Sequence, residues 1–413
     1  MFVLEYKLKG KDWQYKQIDE AIRTSQFVRN KALRYWMDGE NINKYDLNKY
    51  SAVIAKEFSF VKELNSTARQ ASAERAWSAI ARFYDNCQKQ ITGKKGYPKF
   101  KRNARSVEYK NSGWKLDPKT KKHITFTDKK GIGRLSLVGS RDIYYYQPSD
   151  IKRVRLIRRA DGYYCQICMA VDVKIELKPT GKAVGLDLGL KYFYADSNGN
   201  TEPIPHFYRK AEKALNKANR KKSKKFPKGH KQSNNYHKAR KGYARKHLRV
   251  SRQREECSKR MALRLIQSND LIAYEDLNVS GMVKNHHLAK SIADAGWSLF
   301  RQWLEYFGTK YDKVTVAVPP HYTSVECSSC GHHVPKTLST RTHFCPKCMW
   351  ELARDLNAAI NILLKALRTV GHTGTWEIDN FLNAWGDGTS TLAGEILSKQ
   401  VLSMNQESPP STK

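Results

Sequence analysis

Two Cys-x-x-Cys pairs, Cys327-Ser-Ser-Cys330 and Cys345-Pro-Lys-Cys348, constrain this chain more tightly than anything else in it. Each short turn presents two sulfurs, and the intervening hairpin brings the turns together, which supplies the donor set of one tetrahedral zinc ion. The segment is therefore expected to fold around a structural Zn2+ rather than a hydrophobic core. Thiols in this pattern also belong in a reducing compartment. Cys165 and Cys168 repeat the spacing but lie in Tyr163-Tyr164-Cys-Gln-Ile-Cys-Met-Ala-Val after the Asp161-Gly162 turn, which reads as a strand whose cysteines pack.

The 413 residues, 40% hydrophobic and 11% aromatic, suffice for two or three packed units. A net charge of +36 repels itself in a compact chain unless a polyanion neutralises it, and nucleic acid is the leading partner. There is no long apolar run, amino-terminal signal peptide or amphipathic anchor, so no membrane is expected and the location is cytoplasmic.

Two long amphipathic helices are read from Ile18, Ile22, Ser25, Val28, Leu33 and Trp36, and from Ala73, Trp77, Ile80, Tyr84, Cys87 and Ile91. Their polar faces carry mostly arginine and lysine, either solvated or a nucleic-acid face. The loop Gly93 to Arg105 interleaves Tyr97, Lys99, Lys101 and Arg102, able to hold phosphates and stack a base. Residues 106–179 carry short β-type runs at His123 to Thr127, Arg134 to Val138, Arg153 to Ile157 and Tyr163 to Val173, read as a small β-barrel to which Met1 to Leu8 adds an edge strand.

Ala183-Val-Gly-Leu-Asp187-Leu-Gly189 is an apolar strand with a carboxylate, followed by a hairpin through Tyr192 to Ala195. Residues 209–260 are dense in lysine and arginine; the run Arg220 to Lys225, with Lys221 and Lys222, is either a solvated charge run or a binding segment. Beyond it come strand Leu271-Ile-Ala-Tyr-Glu275, a helix through Trp297 and Phe307, strand Val314 to Val318, and a final helix from near Ala353 to Leu367. His321, His332, His333, Arg341 and His343 are either nucleic-acid contacts or solvated surface, and residues 369–413 read as a poorly ordered tail.

Asp187, Glu275 and Asp355 each occupy a defined place: mid-strand, strand end, and first turn of a helix. Singly, Asp355 is also explained as a helix-dipole partner and Glu275 as a strand-end charge. In a five-stranded RNase H-like sheet the three places converge, and three clustered carboxylates require cations. Two Mg2+ ions would meet that need, one activating water and one stabilising the leaving 3′ oxygen.

The order Gly-Leu-Asp187-Leu-Gly, Ile-Ala-Tyr-Glu275-Asp-Leu-Asn, the paired Cys-x-x-Cys, and Arg354-Asp355-Leu-Asn357-Ala-Ala-Ile-Asn361 resembles TnpB, a transposon-encoded relative of type V CRISPR effector nucleases. Gly96-Tyr-Pro-Lys-Phe-Lys101 and Tyr322-Thr-Ser324 also look like that family, and the resemblance covers residues 1–368. It departs at Met349, where the family commonly has Gly, and at Ala353, where an acidic residue often precedes Arg. The resemblance implies an α/β multidomain protein: a β-barrel wedge (1–12 and 96–180) carrying a helical recognition insert (13–95), then a RuvC-like nuclease domain (181–319 and 351–368) with a zinc knuckle for target nucleic acid (320–350). It implies an RNA-guided DNA endonuclease, monomeric in its complex, whose guide RNA comes from the mobile element's own end and whose target is double-stranded DNA beside a short motif. Asp187, Glu275 and Asp355 match the catalytic carboxylates, and the four cysteines the zinc ligands. Arg69 and Gln70 fall where that family contacts the adjacent duplex motif; Arg354 joins the nucleic-acid set. A nuclease-dead RNA-guided repressor and a strand-transfer transposase are the rival readings.

Overall fold

Strand β1 (Phe2–Lys9) buries Leu4, Tyr6 and Leu8 and sets Glu5, Lys7 and Lys9 between them, the period-two pattern of a sheet with one apolar face. The computed structural model describes residues 2–370 apart from 92, 130, 141–142, 144–145, 172–174, 176, 228 and 338. The expected tail from residue 371 onward lies outside the described residues. Two units result, Met1–Val173 and Lys174–Lys413.

In the first unit β1 is followed by helices α1 (Asp12–Asp38), α2 (Lys44–Glu57), α3 (Ser59–Glu63) and α4 (Ser66–Gln88), then strands β2 (Ser106–Tyr109), β3 (Trp114–Leu116), β4 (His123–Phe126), β5 (Gly133–Val138), β6 (Ile151–Arg159) and β7 (Gly162–Met169). The strands form one antiparallel sheet in the order β2-β6-β7-β1-β5-β4-β3. The amino-terminal strand is thus interior rather than at an edge. It pairs with β7 from Phe2↔Met169 to Lys7↔Tyr164, and with β5 from Lys7↔Val138 to Lys9↔Ser136. Its backbone donors and acceptors are used on both sides, and its apolar face joins the unit's main core with Val107, Ile124, Val154 and Ile167. Cys165 and Cys168 lie on β7, both buried, and burial pushes both thiols up, as packing cysteines require.

Between the two long helices the segment folds into two further helices, α2 and α3. Asn43 caps α2 by accepting from the amides of Tyr45 (2.8 Å) and Asp46 (3.3 Å), while Leu47, Ser51 and Ile54 face inward. Helices α1 and α4 pack closely because their contact is built from small residues: Ala68, Ala71, Ala73 and Ala76 are buried, and Ser25 meets Ser72 at 2.8 Å.

The second unit contains β8 (Ala183–Asp187), β9 (Tyr192–Asp196), β10 (Thr201–Pro203), α5 (Phe207–Lys224), α6 (Asn234–Ser268), β11 (Leu271–Glu275), α7 (Val279–Met282), α8 (Ala289–Ala295), α9 (Trp297–Tyr311), β12 (Val314–Val318), β13 (Thr342–Phe344), β14 (Glu351–Ala353) and α10 (Arg354–Thr369). Its five-stranded sheet runs β10-β9-β8-β11-β12, with β8, β11 and β12 parallel and the β8-β9 hairpin and β10 antiparallel. The unit begins before residue 181, since Asp270 accepts from the amides of Thr180 (2.8 Å) and Gly181 (2.7 Å). The lysine-rich stretch is a pair of helices, not a loose charge run. Glu255–Lys259 and Glu256–Arg260 pairs one turn apart offset some of the repulsion along α6.

Strand alternation decides what each face of this sheet meets. Val184, Leu186, Ile272 and Tyr274 pack against α6 and α9 through Met261, Leu265, Phe300 and Leu304. Ala183, Leu271 and Ala273 pack on the other face against Ile362, Leu363 and Leu367 of α10. Gly185 shares that second face, and a Cβ there would lie 2.1 Å from the backbone oxygen of Ala359 and 2.8 Å from the backbone nitrogen of Leu363. Only glycine lets α10 approach the strand this closely. Among the described residues no helix is long and apolar enough to cross a membrane.

Candidate active site and metal centre

The same period of two carries the alternation to the strand ends. Asp187 follows Ala183 and Gly185 on the α10 face, and Glu275 follows Leu271 and Ala273. β8 and β11 are parallel neighbours in register to Tyr274↔Leu186, so both carboxylates emerge at one end of the sheet. Helix α10 begins there, with Asp355 in its first turn. The three residues, distant in sequence, are thereby brought to one neighbourhood.

Electrostatics shows how closely they are coupled. Burial first, then the charges of Glu275 and Asp355, push the Asp187 carboxyl up to about 8, with Arg354 opposing. Burial also raises Glu275, while the Thr323 hydroxyl and the Lys365 charge pull it back. The mutual repulsion falls on Asp187 because the group that keeps its proton longest is neutral while its neighbour ionises. A divalent ion relieves crowding of this kind by favouring the charged form of the carboxylates around it. Among the described residues the four cysteines are the group whose ligand atoms already lie close enough together to hold one ion.

Those four sulfurs lie within 4.8 Å of one another. Cys327 Sγ to Cys348 Sγ and Cys330 Sγ to Cys345 Sγ are each 3.6 Å. A tetrahedral ion with Zn–S near 2.3 Å requires sulfurs about 3.8 Å apart, so the donors fit zinc. In each knuckle an amide turns back on the first cysteine: Gly331 N donates to Cys327 O and Met349 N to Cys345 O, both at 2.9 Å. The turn demands a left-handed residue, Gly331 at φ 71° and Met349 at φ 61°. Methionine thus adopts the conformation in which glycine is at ease.

Three residues near the carboxylates received no role from the sequence. Thr323 Oγ1 donates to Glu275 Oε1 at 2.6 Å in a buried setting. Asn357 and Asn361, one turn apart on α10, hold the loop entering the first knuckle: Asn357 donates to Glu326 O (2.7 Å) and accepts from Ser328 N (2.9 Å), and Asn361 donates to Thr323 O and Glu326 O (each 2.8 Å). The signal was present as polar residues on the inward face of an otherwise apolar helix.

The expected nucleic-acid residues belong to both units. In the first unit Gln70 is exposed on α4, while Arg69 is partly covered and donates to Val61 O at 3.4 Å. Tyr97 is exposed and meets Trp36 and Phe83, and exposed Lys99, Lys101 and Arg102 follow on a loop anchored by Asn30 bonds to Lys101. In the second unit Lys221 is exposed on α5, Lys222 lies over the Tyr243 ring at 4.4 Å, and Arg354 adjoins Asp355 at 3.8 Å. His343 is fully buried beside Lys336, so it is no surface contact; His321, His332 and His333 are exposed.

Residues 166–286 match the family model OrfB_IS605, described as a probable transposase, and residues 297–362 match the Cas12f1-like TNB domain. A Streptomyces pristinaespiralis protein provisionally named an RNA-guided DNA endonuclease is 28% identical over 375 residues, covering 88% of this chain and 89% of the relative. InsQ of Escherichia coli K12, under the same provisional name, is 27% identical over 285 residues, covering 65% and 68%. The Cas12f1 chain from a complex with sgRNA and target DNA shares the fold, with TM-score 0.53 at 14% identity over 85% of this chain and 83% of that one. By its two matched segments and these relatives, the chain is similar to OrfB_IS605 and Cas12f1-like proteins and to relatives named RNA-guided DNA endonucleases.

Proposed function

We propose that the chain is an RNA-guided DNA endonuclease of a mobile element, with Asp187, Glu275 and Asp355 as its catalytic carboxylates. The observation that carries this is the meeting of the three at one end of the sheet, with Asp187 held at about 8 by burial and by the other two. The strand order β10-β9-β8-β11-β12 supports an RNase H-like, RuvC-type nuclease domain, and the seven-stranded sheet of the first unit supports a barrel-like wedge. Two Mg2+ ions, when bound, would supply charge neutralisation for in-line phosphodiester hydrolysis and an activated water. Asp187 and Glu275 project from fixed strand ends and Asp355 from a helix wedged against Gly185, so the protein offers a pre-set donor array. The four cysteines hold one Zn2+ that organises the hairpin beside this array. The +36 charge suits a structured guide RNA and target DNA, with sequence read by base pairing.

The test compares wild type with Asp187→Ala, Glu275→Ala and Asp355→Ala, using one guide and one target, in parallel cleavage and gel-shift assays. Each variant is expected to lose cleavage by about a hundredfold or more and to keep target binding. Full cleavage by any one removes that residue from the set; loss of binding by all three makes them structural. The description of the matched family as a transposase favours one rival, strand joining on the same type of sheet. A strand-transfer assay without guide RNA separates the two.

A further inference from the structure

Glu275 ends β11, and its ladder to β8 stops one residue earlier, at Tyr274↔Leu186. A glutamate has three rotatable bonds, so its strand position alone does not aim the carboxylate. The contact that aims it comes from elsewhere: Thr323, 4% exposed, donates its hydroxyl to one carboxylate oxygen at 2.6 Å and leaves the other free.

Thr323 is itself fixed. Its carbonyl accepts from Asn361 at 2.8 Å, and three residues on, Glu326 O accepts from both Asn361 (2.8 Å) and Asn357 (2.7 Å). Ser328, adjacent to Cys327, donates its amide to Asn357 at 2.9 Å. The loop is also tied to the hairpin by Lys336, which donates to Ser324 O at 2.9 Å. Both asparagines lie on α10, the helix that carries Asp355, so one helix places Asp355 directly and reaches Glu275 through the cysteine-bearing loop.

We propose that Thr323 is a positioning residue for DNA cleavage: its hydroxyl, held by the zinc-knuckle loop and by Asn357 and Asn361, orients the Glu275 carboxylate for metal binding. This rests on reading Glu275 as a metal ligand. Hydrogen-bond partners of ligating carboxylates commonly set metal affinity in this way. The knuckle thereby supports the catalytic site as well as its own fold.

The experiment uses the full chain in three variants. Thr323→Val removes the hydroxyl at nearly constant shape, Thr323→Ser keeps it, and Glu275→Gln removes the carboxylate. Guided cleavage is measured against Mg2+ concentration with the RNA-loaded protein. Mn2+ binding is measured by electron paramagnetic resonance on the nuclease-treated full chain, with Asp187→Ala as background, and zinc content and target binding are recorded alongside. Thr323→Val is expected to keep zinc and target binding, to cut roughly tenfold to a hundredfold more slowly, and to bind Mn2+ more weakly by a similar factor; Thr323→Ser is expected to restore both. Wild-type cutting and Mn2+ affinity in Thr323→Val overturns the proposal, as does a Thr323→Ser variant as impaired as Thr323→Val. If Thr323→Val loses zinc, Thr323→Ala replaces it under the same criteria. An inactive Glu275→Gln beside a fully active Thr323→Val refutes the role of Thr323 alone, whereas a fully active Glu275→Gln refutes the carboxylate reading beneath it.

Discussion

Replacing Asp187 with asparagine should make the magnesium-free protein more stable while abolishing cleavage. The Asp187 carboxyl, ordinarily near 3.8, is held at about 8 in the folded chain. Between those values the folded chain keeps a proton that the unfolded chain releases, so raising the pH favours unfolding. The associated stability is full below 3.8 and is lost by the time the pH has passed 8. At pH 7 the difference, at about 1.36 kcal/mol per unit, amounts to roughly 4 kcal/mol. Asp187 retains some exposed surface, so about half of that, ~2 kcal/mol, is the expected gain for Asp187→Asn, or a melting shift of about 4–8 °C for a unit of this size. The assay is thermal melting of both proteins after dialysis into magnesium-free buffer without chelator, with zinc content checked, repeated from pH 5 to 8 and again with Mg2+. Wild type should lose stability as pH rises and regain it with Mg2+, and the variant should do neither. An Asp187→Asn protein no more stable than wild type at pH 7 without Mg2+ would refute the reasoning, because the carboxylate would then carry no uncompensated charge cost.

Gly185→Ala should lower stability by about 3 kcal/mol or more and depress cleavage, since its Cβ meets backbone of α10 at 2.1 Å; melting and guided cutting check it together. Met349→Gly should relieve a left-handed backbone at φ 61° by about 1 kcal/mol and slow the extraction of zinc by a chelator. Cys345→Ser should reduce the bound zinc from about one ion per chain to near none, as read by metal analysis; unchanged zinc would remove Cys345 from the ligand set.

Much of the second unit is legible in the residues because its signals are local. β11 and β12 are short apolar runs bounded by turn residues and emerge with the expected limits, Leu271–Glu275 and Val314–Val318. The cysteine spacing likewise encodes its own geometry. What escaped depends on partners distant in sequence. The interior place of β1 follows from pairing with residues 136–138 and 164–169, which no periodicity within Phe2–Lys9 reports. β2, β3 and β10 are too short to show a pattern. Lysine-rich α5 and α6 were open to a disordered reading, because high charge density looks alike in a solvated run and in a helix held by a buried stripe such as Met261, Leu265 and Ile266. Thr323 carries no spacing signal toward Glu275, and its role appears only once the loop is folded back on α10.

The contact at Gly185 also limits how this chain can change over generations. Most crowded core positions tolerate a larger side chain when a neighbour shrinks, so pairs of substitutions can pass through together. Here the nearest atoms are the Ala359 carbonyl oxygen and the Leu363 amide nitrogen, which belong to the main chain and cannot be trimmed by any second replacement. Accommodation would have to come from moving α10 as a body, and Asp355 would move with it. Position 185 should therefore behave as an isolated site without compensating partners, and libraries that repack this core will return active members only where it remains glycine.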